Sequence, residues 1–422
     1  MPHRLRIGRA ATAIAVAGTF LVGCMREAAS ASSTRVATHD VVDSLRWPTV
    51  PESLLLDVVD HRRWATTSTA RCPIAAALHP DGRHFAVSDC MSRGLLLGET
   101  RAGDTHLRVI DLAVGIGGPA DRITALSWDA STGAVRGYAQ VRGRLVFAGS
   151  HDSVLTLGDS VPRVGVALPE WASRSNSALV GLYPAKTTMR DADSKSPSIT
   201  HVIRSGPDRL FDTLASLVSP KALASESGGQ VNIFLPPYRS STLWLFENGA
   251  IAFLVRTDSG RVTPIALNLS ALDAWPQAVA GPVMTDHERE ETINAAPAAF
   301  RKQVRDEMPA RWPALRGAIA DGDQVWLAVR SAYGSSLVSW RGYSRDGALT
   351  GAFHVADSLE VLAIHNPWIL VARREDASSA LSILELVPRA LEVRRTVPPF
   401  LAPKRSRSNR EARVPSYHVI AP

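Results

Sequence analysis

Beyond residue 50 the chain alternates short apolar runs with polar turns, and one unit of this pattern recurs six times. Each copy is a tight turn followed by a short, mostly apolar segment, which is typical of a β-strand. Glycine and asparagine at the corners tolerate the positive φ that two-residue hairpin turns require. The six corners are Asp81-Gly82, Arg142-Gly143, Ser175-Asn176, Asn248-Gly249, Asp321-Gly322 and Asn366-Pro367.

This recurrence predicts an all-β fold, a six-bladed β-propeller spanning residues 47–400. The copies lie about 57 residues apart on average, which is enough for a blade of four short strands with its turns. The segment 250–255 is apolar on both faces, as a sheet covered by a neighbouring sheet on each side requires. The last copy supplies three clear strands, so we expect a segment near residues 53–59 to complete its sheet and close the ring.

One segment, residues 285–308, departs from the β pattern and predicts a short helical insert between blades. Thr285 and Glu288 have the spacing of a capping box, in which each side chain bonds the other residue's backbone amide at a helix start. Pro297 stands where a second helix begins, and Pro309 ends it. The insert is either a lid or docking surface, or a loop packed against the rim of the propeller.

The N-terminus, residues 1–23, has the features of a signal peptide, with three arginines followed by an uncharged apolar run. This run is shorter than the roughly 20 residues that a membrane-spanning helix needs. It ends in Leu21-Val22-Gly23-Cys24, which resembles the lipobox of bacterial lipoproteins. That resemblance implies that Cys24 becomes the first residue of the mature chain and carries lipid on its thiol. The alternative is an ordinary cleaved signal, with a candidate site at residues 29–31.

Residues 24–46 are mostly small and polar and predict a flexible tether between the lipid and the propeller. Position 25 is Met rather than Asp, which by the sorting rule known for such lipoproteins permits export to the outer membrane. The predicted location is therefore the cell envelope, with the lipid anchor in the outer membrane. The propeller then faces the periplasm or the cell surface, and the sequence does not decide between these two faces.

Cys72 and Cys90 remain as a pair once Cys24 carries lipid. They flank a predicted hairpin whose turn is residues 79–82, so strand pairing about that turn brings them nearly opposite each other, within disulfide range. A disulfide is stable only in an oxidising compartment, which export would supply. The alternative is two buried free thiols.

The net charge of +7 does not indicate nucleic-acid binding, because the excess of basic residues lies at the two ends of the chain. The leader 1–23 holds three bases and no acid, and the stretch 404–422 holds five bases and one acid. The chain between them is neutral, so it offers no basic stripe for a phosphate backbone. We expect residues 401–422 to form a basic, disordered tail.

Taken together, these features resemble the bacterial six-bladed β-propeller lipoproteins, relatives of the NHL-repeat propellers. The resemblance implies a fold and a cellular address but no reaction, and residues 115–121 lack the Glu-Phe of a loop that relatives often carry there. It rests on the insert 285–309, the strand 321–330 with its Val325-Trp326-Leu327 core, and the segments 340–351, 359–373 and 381–387.

No nucleophile elbow, phosphate-binding loop or complete metal motif occurs in the sequence, so we predict no catalytic residue, no metal ligand and no cofactor. Residues 287–291 begin like a zinc-protease helix but have Glu where the second His belongs, which favours a capping helix with solvated charges. His79 and His84 most simply flank an exposed turn. Ligands of propellers bind at the channel mouth, and the long loops predicted there are 91–106, 183–198 and 216–230.

Two functional hypotheses remain. The first is a lipid-anchored binding or scaffold module whose propeller mouth takes an unknown protein or small molecule. The second is a metal-dependent six-bladed propeller hydrolase similar to the lactonases and esterases, in which a Glu, an Asn and an Asp from different blades hold one calcium or zinc ion. Three converging oxygen ligands in the channel favour the hydrolase, whereas an apolar or mixed channel favours the binding module.

Overall fold

The computed structural model describes residues 47–389 with short gaps. The predicted signal peptide, tether and basic tail lie outside the described residues, as do Cys24, Cys72, Cys90 and the segment 115–121. The gaps are residues 61–64, 68–72, 90–93, 102–103, 113–121, 130–131, 150–153, 166, 176–177, 185–197, 207–210, 220–222, 228–229, 248–249, 266–272, 274, 276–278, 332–334 and 376–377.

Strands account for most of the described chain, and two short α-helices interrupt them. The helices are α1 (Asp286–Ala295) and α2 (Arg301–Glu307), and neither has the length and apolar character to cross a membrane. The strands are β1 (Leu56–Val59), β2 (Ala65–Thr67), β3 (Pro73–Leu78), β4 (His84–Asp89), β5 (Gly94–Arg101), β6 (Asp104–Leu112), β7 (Ile123–Asp129), β8 (Ala134–Ala139), β9 (Arg144–Ala148), β10 (Val154–Ser160), β11 (Trp171–Ser175), β12 (Ala178–Pro184), β13 (Ser198–Ser205), β14 (Phe211–Ser219), β15 (Leu223–Ser227), β16 (Gln230–Phe234), β17 (Thr242–Glu247), β18 (Ala250–Arg256), β19 (Val262–Pro264), β20 (Leu315–Asp321), β21 (Gln324–Val329), β22 (Leu337–Ser344), β23 (Leu349–Ala356), β24 (Leu359–His365), β25 (Trp368–Glu375) and β26 (Ser378–Pro388).

The strands build the predicted six-bladed β-propeller. Blades 1, 2, 3 and 5 are antiparallel arrays of four strands, β3–β6, β7–β10, β11–β14 and β20–β23, and a short parallel pairing of β6 with β10 links blades 1 and 2. Blade 4 contains β17–β19, and blade 6 contains β24–β26 with β1 and β2 from the start of the described chain. The first strand of each blade contacts the next blade around the ring, so the six blades surround one axis.

Blade 6 closes the ring in the way that the sequence predicts. β1 pairs antiparallel with the end of β26, from Leu56 opposite Pro388 to Val59 opposite Glu385. Because the first described strand completes the last sheet, the two ends of the propeller are joined by a ladder of backbone hydrogen bonds.

Five of the six predicted corners connect the first and second strands of a blade, but the corner at Arg142-Gly143 does not. It joins β8 to β9, the second and third strands of blade 2. The equivalent corner of blade 2 contains Thr132 and Gly133, between β7 and β8. Gly133 and Gly143 both have positive φ, 64° and 62°, so the two turns have the same local chemistry. Only the order of strands in the sheet distinguishes them.

The insert is helical as predicted, and it has an apolar core of its own. The Thr285 hydroxyl accepts a hydrogen bond from the Glu288 amide, and the Glu288 carboxylate accepts one from the Thr285 amide, which completes the capping box. α1 and α2 pack against the hairpin β15–β16, where Phe300 stacks on Phe234 with ring centroids 5.6 Å apart. The buried residues of this cluster are Leu223, Tyr238, Met284, Ile293, Ala296, Phe300 and Val304.

The expectation of solvated charges on α1 is wrong for Glu288, which is buried. Its carboxylate also accepts a hydrogen bond from the Trp312 indole, 2.8 Å away. Burial raises the pKa of Glu288, but the hydrogen bonds from Thr285 and Trp312 outweigh it and hold the pKa below its ordinary value. Glu288 is therefore a structural carboxylate that joins α1 to the chain leading into blade 5.

Candidate functional site

A cavity of about 660 Å³ lies where the first strands of all six blades approach the propeller axis. We call it the central cavity. Its volume is within the range of small-molecule sites in proteins. The alanines of its wall are Ala75, Ala76, Ala77, Ala125, Ala318, Ala320 and Ala363.

The position of the first strands explains the wall's composition. The first strand of each blade stands at the end of its ladder of paired strands, so only one of its two edges pairs within the blade. These first strands are β3, β7, β11, β17, β20 and β24. Consecutive residues line the cavity, such as 74–78 of β3 and 124–128 of β7, as expected when the edge of a strand faces it. The wall therefore combines backbone amides and carbonyls with small apolar side chains.

Polar side chains are few in the described wall. Thr124, Ser127 and Ser173 supply hydroxyls, while Glu170 and His365 supply the ionisable groups. The His365 Nδ1 lies 3.0 Å from Oδ1 of Asp321, a buried residue at the end of β20. The Asp321 Oδ2 accepts a hydrogen bond from the Asn366 amide at 2.9 Å, so this carboxylate connects blades 5 and 6.

A second space, which we call the side groove, lies over blade 2 and is walled on its far side by β11 of blade 3. Its volume is about 850 Å³, and it shares Ser127, Trp128 and Ser173 with the central cavity. Phe147 contributes an exposed aromatic ring. At its rim Arg136 is paired with Asp129, and Arg174 with Asp159.

The backbone is strained where the cavity and the groove meet. Ala125 has a φ of +55°, in the left-handed region that favours glycine, and it lies at a bulge between Thr124 and Ser127 where β7 slips against β8. The bulge lets consecutive residues of β7 line both spaces. Strain of this kind is common at binding sites.

The positions predicted from the sequence contribute little to this site. Cys24, Cys72 and Cys90 lie outside the described residues, as do residues 185–197 of one expected loop. The prediction of long loops at 91–106 and 216–230 is wrong, because most of these residues belong to β5, β6, β14, β15 and β16. Sequence reasoning missed the alanine-rich wall, since alanines in apolar segments carry no signal that distinguishes a cavity from a core.

The described donor groups of the central cavity differ from the Glu, Asn and Asp ligand set of a metal-dependent propeller hydrolase. Among the described residues of its wall, Glu170 is the carboxylate, and no asparagine or aspartate lies beside it. Asp321 approaches the wall, but its two oxygens already contact His365 and the Asn366 amide. The described wall is of the mixed kind, with backbone polar groups beside apolar side chains, that favours binding of an organic ligand.

Comparisons with known proteins add little beyond the architecture. No protein-family model matches the chain, and no curated protein matches it in sequence. A gluconolactonase from Xanthomonas campestris aligns over 77% of this chain and 89% of its own, with 13% identity and a TM-score of 0.40. The calcium-binding protein regucalcin from Agrobacterium tumefaciens aligns over 79% and 97%, with 12% identity and a TM-score of 0.40. Likeness of this degree carries no argument about activity.

Proposed function

We propose that this chain is a lipid-anchored binding module of the cell envelope, whose propeller takes a neutral organic molecule in the central cavity. The observation that carries the proposal is the composition of the described cavity wall. It offers backbone amides and carbonyls together with alanines, larger aliphatic residues and two tryptophans, and it has few ionisable groups. A ligand with apolar surface and a few hydrogen-bonding groups matches this wall, whereas a highly charged one does not.

Binding to the central cavity is tested with the full-length chain and the neutral fluorescent probe N-phenylnaphthylamine. We expect saturable binding of one equivalent, with energy transfer from Trp128 and Trp171, which both line the cavity. Ser127→Trp places an indole at the wall shared by the cavity and the groove and is expected to weaken binding by at least about tenfold. Leu235→Trp adds the same ring at an exposed position and serves as the control.

Probe binding that survives Ser127→Trp unchanged would place the ligand elsewhere and contradict the proposal. Turnover of a lactone or ester panel that depends on calcium or zinc would replace the binding module with the hydrolase. Probe binding and lactone or ester turnover are measured separately on the same protein. A negative result in one measurement therefore leaves the other interpretable.

The envelope location is supported by the sequence Leu21-Val22-Gly23-Cys24 and the tether that follows it. In a bacterial host we expect the wild-type chain in the membrane fraction, labelled by a fatty-acid analogue. Cys24→Ser is expected to lose the label, because it removes the thiol that carries the lipid. An unlabelled wild-type chain that begins near residue 32 would support the ordinary signal peptide instead.

A disulfide between Cys72 and Cys90 belongs to the same proposal. The hairpin of β3 and β4 pairs Pro73 with Asp89, the residues next to the two cysteines in the chain. Non-reducing peptide mapping of the exported protein is expected to recover the two cysteines in one linked fragment. Two free thiols in exported protein would contradict the pairing.

A further inference from the structure

Two histidines and one aspartate converge on the turn between β3 and β4, outside the central cavity. The His79 Nδ1 lies 3.1 Å from the Asp81 Oδ1, and the His84 Nδ1 lies 2.6 Å from the Asp81 Oδ2. The three prospective donor atoms all lie within 4.8 Å of one another. Their side chains are 21–33% exposed, so a small ion in solution can reach them.

The turn fixes these groups in place through its backbone. The Asp81 Oδ1 accepts hydrogen bonds from the amides of Arg83 at 2.7 Å and His84 at 3.1 Å. The His79 amide donates to the His84 carbonyl at 2.8 Å, which ties the two histidines across the hairpin. Gly82 has a φ of +64° and lies against the Trp368 indole, which leaves no space for a side chain there.

Hydrogen bonds orient both imidazoles. The Asp81 amide donates to the His79 Nδ1 at 3.1 Å, which holds this ring beside the Asp81 carboxylate, and an ion that binds this nitrogen replaces the amide as its partner. The His84 Nε2 lies 3.3 Å from the Glu99 Oε1 on β5. A carboxylate that accepts a hydrogen bond from one imidazole nitrogen leaves the other available to a metal, an arrangement that recurs around metal-binding histidines.

The cluster also has a rigid wall. The His79 ring packs edge-on against Trp128, with centroids 5.1 Å apart, and Trp128 donates from its indole to the Ala77 carbonyl at 3.1 Å. Trp128 comes from blade 2 and is buried, so the site lies at the junction of two blades. Side chains held by their neighbours need little reorganisation to bind an ion.

We propose that His79, Asp81 and His84 form a binding site for a divalent transition-metal ion of the zinc class, with Glu99 positioning His84. Two imidazoles and one carboxylate are donors that Zn²⁺ and Co²⁺ accept readily, whereas Ca²⁺ and Mg²⁺ prefer oxygen-only sites. Three protein donors leave room for water in the remaining position. His79, Asp81 and His84 do not line the central cavity, although the neighbouring Pro80 and Trp128 do, and the proposal does not depend on the proposed function.

The test is isothermal titration of the chelator-treated full-length chain with Zn²⁺, accompanied by the visible absorption of bound Co²⁺. We expect one equivalent to bind. His79→Gln and His84→Gln each remove one imidazole donor and keep the hydrogen bonds from the Arg83 and His84 amides to Asp81. Loss of an outer-shell partner typically costs 10–100-fold in metal affinity, so loss of a donor is expected to cost roughly 100-fold or more.

Glu99→Gln is expected to weaken Zn²⁺ binding by about 10–100-fold, because the amide holds the imidazole less firmly. His287→Gln is the matched control, since His287 also lies 3.3 Å from a carboxylate, that of Glu291, but on an exposed helix face. The Zn²⁺ affinity of the His287→Gln variant is expected to equal that of the wild type. Absence of stoichiometric Zn²⁺ binding, or binding that His79→Gln and His84→Gln leave unchanged, would overturn the proposal.

Discussion

Blades 5 and 6 meet across a filled interface, whereas blades 2 and 3 touch through a small buried cluster around Tyr138 and leave the side groove of about 850 Å³ beside it. At the filled interface Trp326 contacts Phe353, with centroids 5.2 Å apart, and Phe353 stacks on Trp340 at 6.1 Å. Ile369 and Leu384 of blade 6 complete this cluster, and Leu56 and Val58 of β1 pack at its edge. The groove is bordered instead by Ala125, Ala134, Gly137, Gly158 and Ala172.

The same architecture therefore supports two kinds of blade contact. Large aromatic side chains fill the wedge between blades 5 and 6, and the burial of their apolar surface stabilises the place where the ring closes. Small residues leave the wedge between blades 2 and 3 open beside the central cavity. The comparison indicates that stability is concentrated at the closure, whereas space for a ligand is concentrated between blades built from the first half of the chain.

The largest expected effect comes from deleting residues 47–60, which removes β1 from the closure. The deletion exposes the edge of β26 and removes Leu56 and Val58 from the filled interface. We expect the loss to approach the whole free energy of unfolding of a typical domain, about 5–15 kcal/mol, measured by urea denaturation. Deleting the predicted tail 401–422 is the control and is expected to leave the transition unchanged. If the variant that lacks residues 47–60 unfolds at the same urea concentration as the full chain, the closure does not contribute the large share of stability proposed here.

A smaller loss is expected from Trp326→Ala at the filled interface. Trp326 is 1% exposed, and its removal leaves a cavity among Phe353 and the strands of blade 6. We expect a destabilisation of about 3–5 kcal/mol, measured by urea denaturation. Phe147→Ala in the groove truncates an exposed ring and is expected to change stability by less than about 0.5 kcal/mol. Equal losses in the two variants would remove the distinction between the two interfaces.

Enlarging a side chain also distinguishes the two interfaces. We expect it to destabilise the protein at the filled interface and to have little effect at the side groove. Ala328→Phe inserts a ring into the filled interface, where Ala328 is 3% exposed, and is expected to cost about 1–3 kcal/mol. Ser173→Phe places the same ring at the groove, where space is available, and is expected to cost less than about 0.5 kcal/mol. Thermal denaturation compares the two variants, and a larger loss from Ser173→Phe would show that the groove is not open in solution.

The smallest effect is expected from Ala125→Gly at the junction of the cavity and the groove. Glycine relieves the strain of a φ of +55°, which costs other residues about 1–2 kcal/mol, but it loses more backbone entropy on folding. We expect a net stabilisation of about 0.5–1 kcal/mol, measured by thermal denaturation. Ala134→Gly, on β8 of the same groove, relieves no such strain and is expected to destabilise by about 0.5–1 kcal/mol. If Ala125→Gly and Ala134→Gly change the stability in the same direction, the backbone at Ala125 is not strained.

The sequence predicts the corners of blades 5 and 6 and the completion of blade 6 by residues near 53–59, because each apolar segment there is bounded by a clear turn. Leu315–Asp321 and Gln324–Val329, for example, flank the Gly322 corner. The sequence analysis places the corner of blade 2 at Gly143 instead of Gly133, because both glycines form turns of the same local chemistry. The order of strands within a sheet is a property of tertiary pairing, which local turn signals do not contain.

The candidate sites are less predictable than the fold for a related reason. His79 and His84 form a recognisable pair about a turn, but Glu99 and Trp128 approach them only through the pairing of β4 with β5 and the contact between blades 1 and 2. The cavity wall arises from alanines on separate blades that no sequence spacing connects. Both sites depend on neighbours that are distant in the chain, which is why residue types alone do not indicate them.

The pairing of β1 with β26 has a consequence for how the molecule is made. The two strands lie more than 300 residues apart in the chain, so their pairing is among the least local contacts in the fold and carries a large loop-closure entropy. A ribosome synthesises β26 after every other described strand, and blade 6 therefore stays unfinished until the other five have been made. The circular architecture is therefore sealed only when that last strand has been made.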